Sequence, residues 1–255
     1  MKKRAMPDRS PLRTPHSTLE ISPGLWLDAR RAVWLAQFRT LAVADLHLGY
    51  VWAHRAAGQM LPLGLRDDTL DRLAALIADY APERVALLGD IVHQAVPLAP
   101  LEAELTRLRD EIGTTTALHW LAGNHDRRLA KLLGKLGGGI ALEREFALGP
   151  HRLAHGDGFS ESDAASRLTA VQADGGRWFI GHEHPAVKLG DGLATNVRCP
   201  CFLVAPALIV LPAFSSWAAG SPIGPGEGLS ALTQATQFTH RVAIAARKLL
   251  PLEAG

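Results

Sequence analysis

Cysteine is nearly absent: the 255 residues carry two, Cys199 and Cys201. Two residues apart on a strand-like stretch, they point the same way and are poorly placed to bridge each other, which excludes a disulfide framework and favours a reduced, cytoplasmic setting. A structural zinc site would need a second pair. Long hydrophobic runs are missing too. The longest apolar stretch, residues 201–214, is too short to span a bilayer and is broken by Pro206 and Pro212, so it reads as two strands and no membrane partner is expected. Lys2, Lys3 and Arg4 open the chain like a signal peptide, but Pro7, Asp8, Arg9 and Pro11 stand where an apolar core would be required, so no export signal is expected. Internal repeats and low-complexity segments are also lacking.

Charge of one sign is scarce. The formal net charge is +2, and Lys2, Lys3, Arg4, Arg9 and Arg13 against Asp8 give the first sixteen residues +4, which leaves −2 for the rest. Bulk charge therefore gives no argument for nucleic-acid binding, although bound divalent cations would reverse the sign locally. Residues 1–17 read as a disordered basic tail, a solvated extension rather than a DNA-touching arm. Residues 18–255 read as one domain, for which 47% hydrophobic content supplies a substantial core.

Five polar clusters each follow a short apolar run. Asp45-Leu46-His47 follows residues 41–44, Gly89-Asp90 follows 85–88, and Gly123-Asn124-His125-Asp126 follows 119–122. His155-Gly156-Asp157 follows 152–154, and Gly181-His182-Glu183-His184 follows 178–180. Such runs read as buried strands that deliver polar side chains at their carboxyl ends, where open α/β sheets place ligands, so all five are expected on one edge.

Helices are expected between them. Leu70, Leu73, Ile77 and Tyr80 recur at helical spacing within 67–80, with Asp67 and Asp68 favouring the amino end. Leu101, Leu105, Leu108 and Ile112 repeat the pattern, as do Leu129, Leu132, Leu133 and Leu136. After His184 the helical signal fades, and 197–204 and 207–214 read as strands of a second sheet, followed by Gly- and Pro-rich turns over 220–228. The fold class is α/β, a sandwich of two sheets with helices outside.

Ligand type suggests the chemistry. Asp45 and His47, two apart at a strand end, face the same way and can hold one cation. Asp90 has two carboxylate oxygens and can touch two metals at once. Asn124 offers an amide oxygen, and His155, His182 and His184 offer imidazoles. A nitrogen and oxygen set without thiolate suits Mn²⁺, Fe, Zn²⁺ or Co²⁺ better than Mg²⁺ or Ca²⁺. Singly, each has a bland reading: Asp45 as a turn cap, Gly89-Asp90 as a turn dipeptide, His155 as a half-buried histidine. Their order, spaced by strand–helix units, favours a site. An amidohydrolase barrel would place a pair such as His182-x-His184 on its first strand, and here it comes late.

These motifs resemble the complete signature of calcineurin-like metallophosphoesterases over residues 41–185. The flanking Ala44-Asp45-Leu46-His47-Leu48-Gly49, Arg55, Gly58, Leu61-Pro62, Leu88-Gly89-Asp90 with His93, Gly181-His182-Glu183-His184-Pro185 and Leu211-Pro212-Ala213-Phe214 are most similar to the bacterial ligase-associated DNA damage response endonucleases of the PdeM type. Tyr50 departs from that pattern, where a basic residue is expected after the glycine. The resemblance implies the metallo-dependent phosphatase αββα sandwich, two mixed sheets flanked by helices. It implies two divalent cations, Mn²⁺ foremost, one on Asp45, His47, Asp90 and His184 and the other on Asp90, Asn124, His155 and His182. It implies in-line attack of an activated water on phosphorus, with His125 free to donate a proton to the leaving oxygen or stabilise the transition state and Asp126 orienting its ring.

Around that site, His93 and Asp157 could hydrogen-bond to ligands. Arg55, Arg127 and Arg128, with His54 and Lys131, could contact phosphates, the alternative for the helix from Arg127 being a solvated face. Trp52 could stack on a base or merely pack. The implied activity is metal-dependent phosphodiester cleavage of DNA in repair, with a DNA ligase or helicase as a possible partner. The alternatives are a small phosphomonoester or nucleotide as substrate, or a non-catalytic scaffold, against which the complete ligand set and His125 argue.

Overall fold

The computed structural model describes residues 17–61, 68–94, 99–135, 141–190 and 196–253. Residues 1–16 of the expected tail lie outside the described residues, as do Pro62, Asp67 and Leu136. Ser17 is built into the fold, its carbonyl accepting from the Ala29 N–H at 3.0 Å and its hydroxyl from the Leu249 N–H at 2.6 Å.

The chain starts with three antiparallel strands, β1 (Thr18–Ser22), β2 (Leu25–Asp28) and β3 (Ala32–Leu35), and then β4 (Thr40–Val43). Next come α1 (Tyr50–Ala56), α2 (Thr69–Tyr80), β5 (Arg84–Leu88), α3 (Ala99–Ile112), β6 (Ala117–Leu121), α4 (Leu129–Lys135) and β7 (Leu142–Glu143). These strands form one seven-stranded sheet in chain order, parallel from β4 to β7 and antiparallel before it. The second sheet takes β8 (Glu145–Leu148) and β9 (His151–Ala154), then, after α5 (Glu161–Ala173), β10 (Trp178–Ile180), β11 (Ala186–Gly190), β12 (Asn196–Val204) and β13 (Leu208–Val210). After α6 (Ala231–Gln234) it closes with β14 (His240–Ala245) and β15 (Lys248–Glu253). Its order is β15-β14-β12-β13-β10-β9-β8, with β11 pairing β12, and β13, β10 and β9 run parallel.

Strand alternation sorts the side chains into layers. Leu41 and Val43 of β4, with Val85 and Leu87 of β5, pack outward on Leu73 and Leu76 of α2 and Leu105 and Leu108 of α3. Their neighbours Ala42, Ala86 and Leu88 turn inward and meet Leu153, Phe179, Phe202 and Ile209 of the second sheet. On the far side Trp178, Ile180 and Val210 receive Ala164, Leu168 and Val171 of α5 and Leu232 of α6. The αββα sandwich with two mixed sheets is therefore as expected.

Two expectations need correcting. The motif-bearing strands do not share one sheet edge: β4, β5 and β6 lie in the first sheet, β9 and β10 in the second, and the clusters meet where the two carboxyl edges face each other. The strand expected over 207–214 stops at Val210. Pro212 has no N–H to give a ladder, and the N–H groups of Phe214 and Ser215 leave the sheet for the carbonyls of Ala44 and Asp45, at 2.7 and 3.0 Å. Among the described residues no helix is long and apolar enough to cross a membrane. Both cysteines are free and buried.

Candidate metal centre

All seven candidate ligands come together. Donor atoms of Asp45, His47, Asp90 and His184 lie within 4.8 Å of one another. Within that group His47 Nε2 is 3.2 Å from His184 Nε2, which is 3.5 Å from Asp45 Oδ1. A second set adjoins it: His155 Nε2 lies 3.2 Å from Asn124 Oδ1, 3.1 Å from His182 Nδ1 and 3.4 Å from Asp90 Oδ1. Asp90 belongs to both, since its Oδ2 faces His47 Nε2 at 4.0 Å. Its position is fixed by the His125 N–H, which donates to Oδ1 at 3.0 Å.

The donor chemistry fits cations. His155 Nδ1 donates to the Leu88 carbonyl at 3.0 Å, so its Nε2 presents a lone pair to the cluster. Nitrogens and carboxylate oxygens at about hydrogen-bond distance, in a site where Asp45 is fully buried and Asp90 only 3% exposed, need protons or a cation between them. The protonation equilibria show the same demand. Burial would raise the Asp45 carboxyl, but the imidazoles of His184, His155 and His47 hold it below its ordinary value. Burial raises Asp90, with Asp45 adding to the shift. Burial would lower His155 and His184, but Asp45 and Asp90 hold both above the usual imidazole range. His47 is different: burial, aided by neighbouring imidazoles, lowers it to about 3, so its ring is neutral and its lone pair free at neutral pH.

Two local features make this closeness possible. Asp45, His47, Asp90, His182 and His184 all have positive φ, between 44° and 70°, which makes them half of the ten such non-glycine residues among those described. Each costs about 1–3 kcal/mol, and strain of this kind concentrates at functional sites. Glycines then let the motif loops touch. A Cβ on Gly123 would sit 2.3 Å from Asp90 Oδ1, and one on Gly181 would sit 2.6 Å from Asp45 Oδ2.

The family profile described as calcineurin-like phosphoesterase matches residues 38–184, more than half of the chain and every residue of both donor sets. The chain belongs to this family. As a calcineurin-like phosphoesterase it is a hydrolase of phosphoester bonds with a candidate His/Asp metal site. No curated protein matches it. Its fold is similar to the solved structure of Pseudomonas putida nuclease MPE, at 24% identity and TM-score 0.64, over 93% of this chain and 100% of that one. A second solved structure, Yfce, a phosphoesterase from E. coli, matches at 16% identity and TM-score 0.37, over 81% of this chain and 99% of that one.

Within the phosphoesterase site, the hydrogen bonds of His125 and Asp126 differ from the expected ring–carboxylate pair. His125 Nε2 lies 3.8 Å from Asp90 Oδ2, at the edge of the donor sets. Its ring is oriented by the carbonyl of His93, to which Nδ1 donates at 2.6 Å, and not by Asp126. The Asp126 carboxylate is fully buried and accepts instead from the N–H groups of Gly123, Ile91 and Val92, at 2.9, 3.3 and 3.2 Å. It ties the Asp90 loop to the Asn124 loop, and burial raises it to about 6 against those hydrogen bonds.

The remaining candidates divide. Trp52 is half-buried: its Nε1 donates to Glu104, whose other oxygen accepts from the Gly49 N–H at 2.7 Å, which fixes the start of α1 on α3. Arg55 is exposed and donates to the Leu61 carbonyl, and Arg127 and Arg128 are exposed directly after Asp126. His54 Nδ1 donates to Gln59 Oε1 at 2.7 Å, and its ring stacks on His93 at 5.0 Å. Lys131 is exposed on α4, and Asp157 is half-buried near His155. Sequence reasoning gave Glu183 no role. It is buried between His182 and His184 and accepts from the N–H groups of Leu229 and Ser230, at 2.8 and 2.7 Å, pinning the loop before α6. A glutamate between two motif histidines was the available signal.

Proposed function

We propose that this calcineurin-like phosphoesterase cleaves phosphodiester bonds in DNA as an endonuclease of a cytoplasmic repair system. The observation that carries the two-cation reading is Asp90, whose two oxygens face two separate donor sets. On this reading Asp45, His47, Asp90 and His184 hold one divalent cation and Asp90, Asn124, His155 and His182 the other, with Mn²⁺ best suited to the mixed donors and Fe, Zn²⁺ or Co²⁺ next. When bound, the cations supply Lewis acidity toward phosphoryl oxygens and lower the pKa of water.

The chain's own residues do the rest. His125, with its Nδ1 proton committed to the His93 carbonyl, acts as acid from Nε2 in its doubly protonated form, giving the Nε2 proton to the leaving oxygen and returning to the Nδ1–H tautomer. Asp126 keeps His125 and Asp90 in register through backbone, not through the ring. On this reading Arg127 and Arg128, exposed directly after Asp126, and the exposed Arg55 contact substrate phosphates. DNA as substrate is supported by the motif resemblance and by the fold likeness to a protein described as a nuclease. A ligase or helicase partner is supported by the resemblance, and a cytoplasmic setting by the two free, buried thiols.

The test is nicking of supercoiled plasmid by metal-stripped protein resupplied with Mn²⁺, beside Asn124→Ala. Nicking that needs both the metal and Asn124 supports the reading. A preparation that hydrolyses a chromogenic diester but never nicks DNA moves the substrate to a small phosphate ester.

A further inference from the structure

A file of rings runs from the donor sets to the start of α1 and the loop after β13. His93 lies 5.3 Å from His125 and 5.6 Å from His47, centre to centre. Tyr50 lies 4.5 Å from His93, and Trp217 stacks on Tyr50 at 5.6 Å with the planes 9° apart. The hydrolytic chemistry uses neither of these last two rings. Both are half-buried, and the indole Nε1–H of Trp217 has no hydrogen-bond partner among the described residues.

Trp217 is held in place by unusual means. Arg31 donates to the carbonyls of Ala213 and Ser215, at 3.0 and 2.6 Å, and Arg72 donates to the carbonyl of Phe214 between them while lying over its ring at 4.5 Å. Two guanidinium groups thus grip three successive carbonyls. They do so against a cost, since burial and the neighbouring Arg72 lower Arg31 to about 10. From the other side the N–H groups of Phe214 and Ser215 donate to Ala44 and Asp45, and the Trp217 N–H donates to Ser215 Oγ at 3.2 Å. The indole is therefore registered against the same loop that carries Asp45 and His47.

We propose that Trp217 and Tyr50 form a stacking platform for one nucleobase of the substrate strand, next to the phosphate that is cleaved. The proposal rests on the nucleic-acid reading above and adds a binding subsite to it. Parallel, preset rings suit a base because every base has a π-face, so such a platform gives affinity with little sequence preference, and losing one stacked base weakens binding about 5- to 150-fold. A base that reaches it must have left its own stack. Tyr50, out of place as a phosphate contact, is explained as the inner face of this platform.

The test uses the full-length protein in chelator, where no cleavage occurs, and two fluorescein-labelled probes read by anisotropy: an oligo(dT) octamer and an octamer with the same phosphates but abasic tetrahydrofuran residues. The wild type is expected to bind oligo(dT) about tenfold or more tightly than the abasic chain. Trp217→Ala should abolish that preference and Trp217→Phe should keep most of it, which a folding defect would not do. A wild type with no preference, or binding neither probe, overturns the platform, as does an unchanged preference in Trp217→Ala. Plasmid nicking by the same preparation reports separately on the nuclease reading, so a protein that nicks without preferring bases loses only the platform.

Discussion

The carbonyl oxygen of His93 accepts the Nδ1 proton of His125 at 2.6 Å. A carbonyl can only accept, so the tautomer is fixed by chemistry: Nδ1 carries a proton, and Nε2 faces the cluster 3.8 Å from Asp90 Oδ2. The ligand-bearing loop of Asp90 thereby aims the neighbouring loop's histidine through main chain three residues on. On the proposed reading, metal holding and proton delivery are separate tasks of side chains that share one scaffold.

That separation makes a two-variant prediction. Asp90→Ala should lose bound metal, because both donor sets share this carboxylate. His125→Ala should keep the metal content of the wild type and lose about 10²- to 10⁴-fold in turnover, the usual worth of a positioned acid. Metal content by mass spectrometry and steady-state diester hydrolysis read the two. A His125→Ala enzyme at the wild-type rate would remove the acid assignment.

Asp126 is predicted to behave as a structural clamp. Asp126→Ala strands the buried N–H groups of Gly123, Ile91 and Val92, each worth about 1–3 kcal/mol when left unpaired and partly offset by removal of a buried charge. The variant should unfold at clearly lower denaturant, with a net loss of about 2–5 kcal/mol. If it kept wild-type stability while turnover vanished, Asp126 would be acting through His125 after all.

The difference between the two aspartate readings shows what a sequence carries. Residue types and order were enough to gather Asp45, His47, Asp90, Asn124, His155, His182 and His184, because metal ligation is a property of side-chain atoms. Asp126 is equally visible, but a carboxylate bonds a ring or a backbone with the same residue type, and only its surroundings decide. The His93 carbonyl leaves no trace in residue identity at all. Short apolar runs marked β4 and β10 as buried strands but not which sheet each joins, so one edge was expected where two meet. In α5 the apolar positions Ala164, Leu168 and Val171 are diluted by small and polar neighbours, and its helical pattern escaped notice. The Trp217–Tyr50 pair joins residues far apart in the chain, with no local signal.

Glu183 supplies the last prediction. Its two oxygens take the Leu229 and Ser230 N–H groups, and Ser230 in turn caps α6 by accepting from Leu232 N–H at 3.2 Å. The same residue separates His182 and His184, both of which have positive φ and need an anchored turn to keep it. Glu183→Ala leaves two N–H groups without an acceptor, at about 1–3 kcal/mol each, and should release the amides of Leu229 and Ser230 to rapid hydrogen exchange. Because the strained turn loses its anchor, metal affinity should fall about 10- to 100-fold, the range found when groups that orient ligands are removed. Glu183→Gln keeps one acceptor oxygen and should recover part of both. Unchanged exchange at Leu229 and Ser230 together with unchanged metal affinity would mean that the histidine turn holds its shape without this carboxylate.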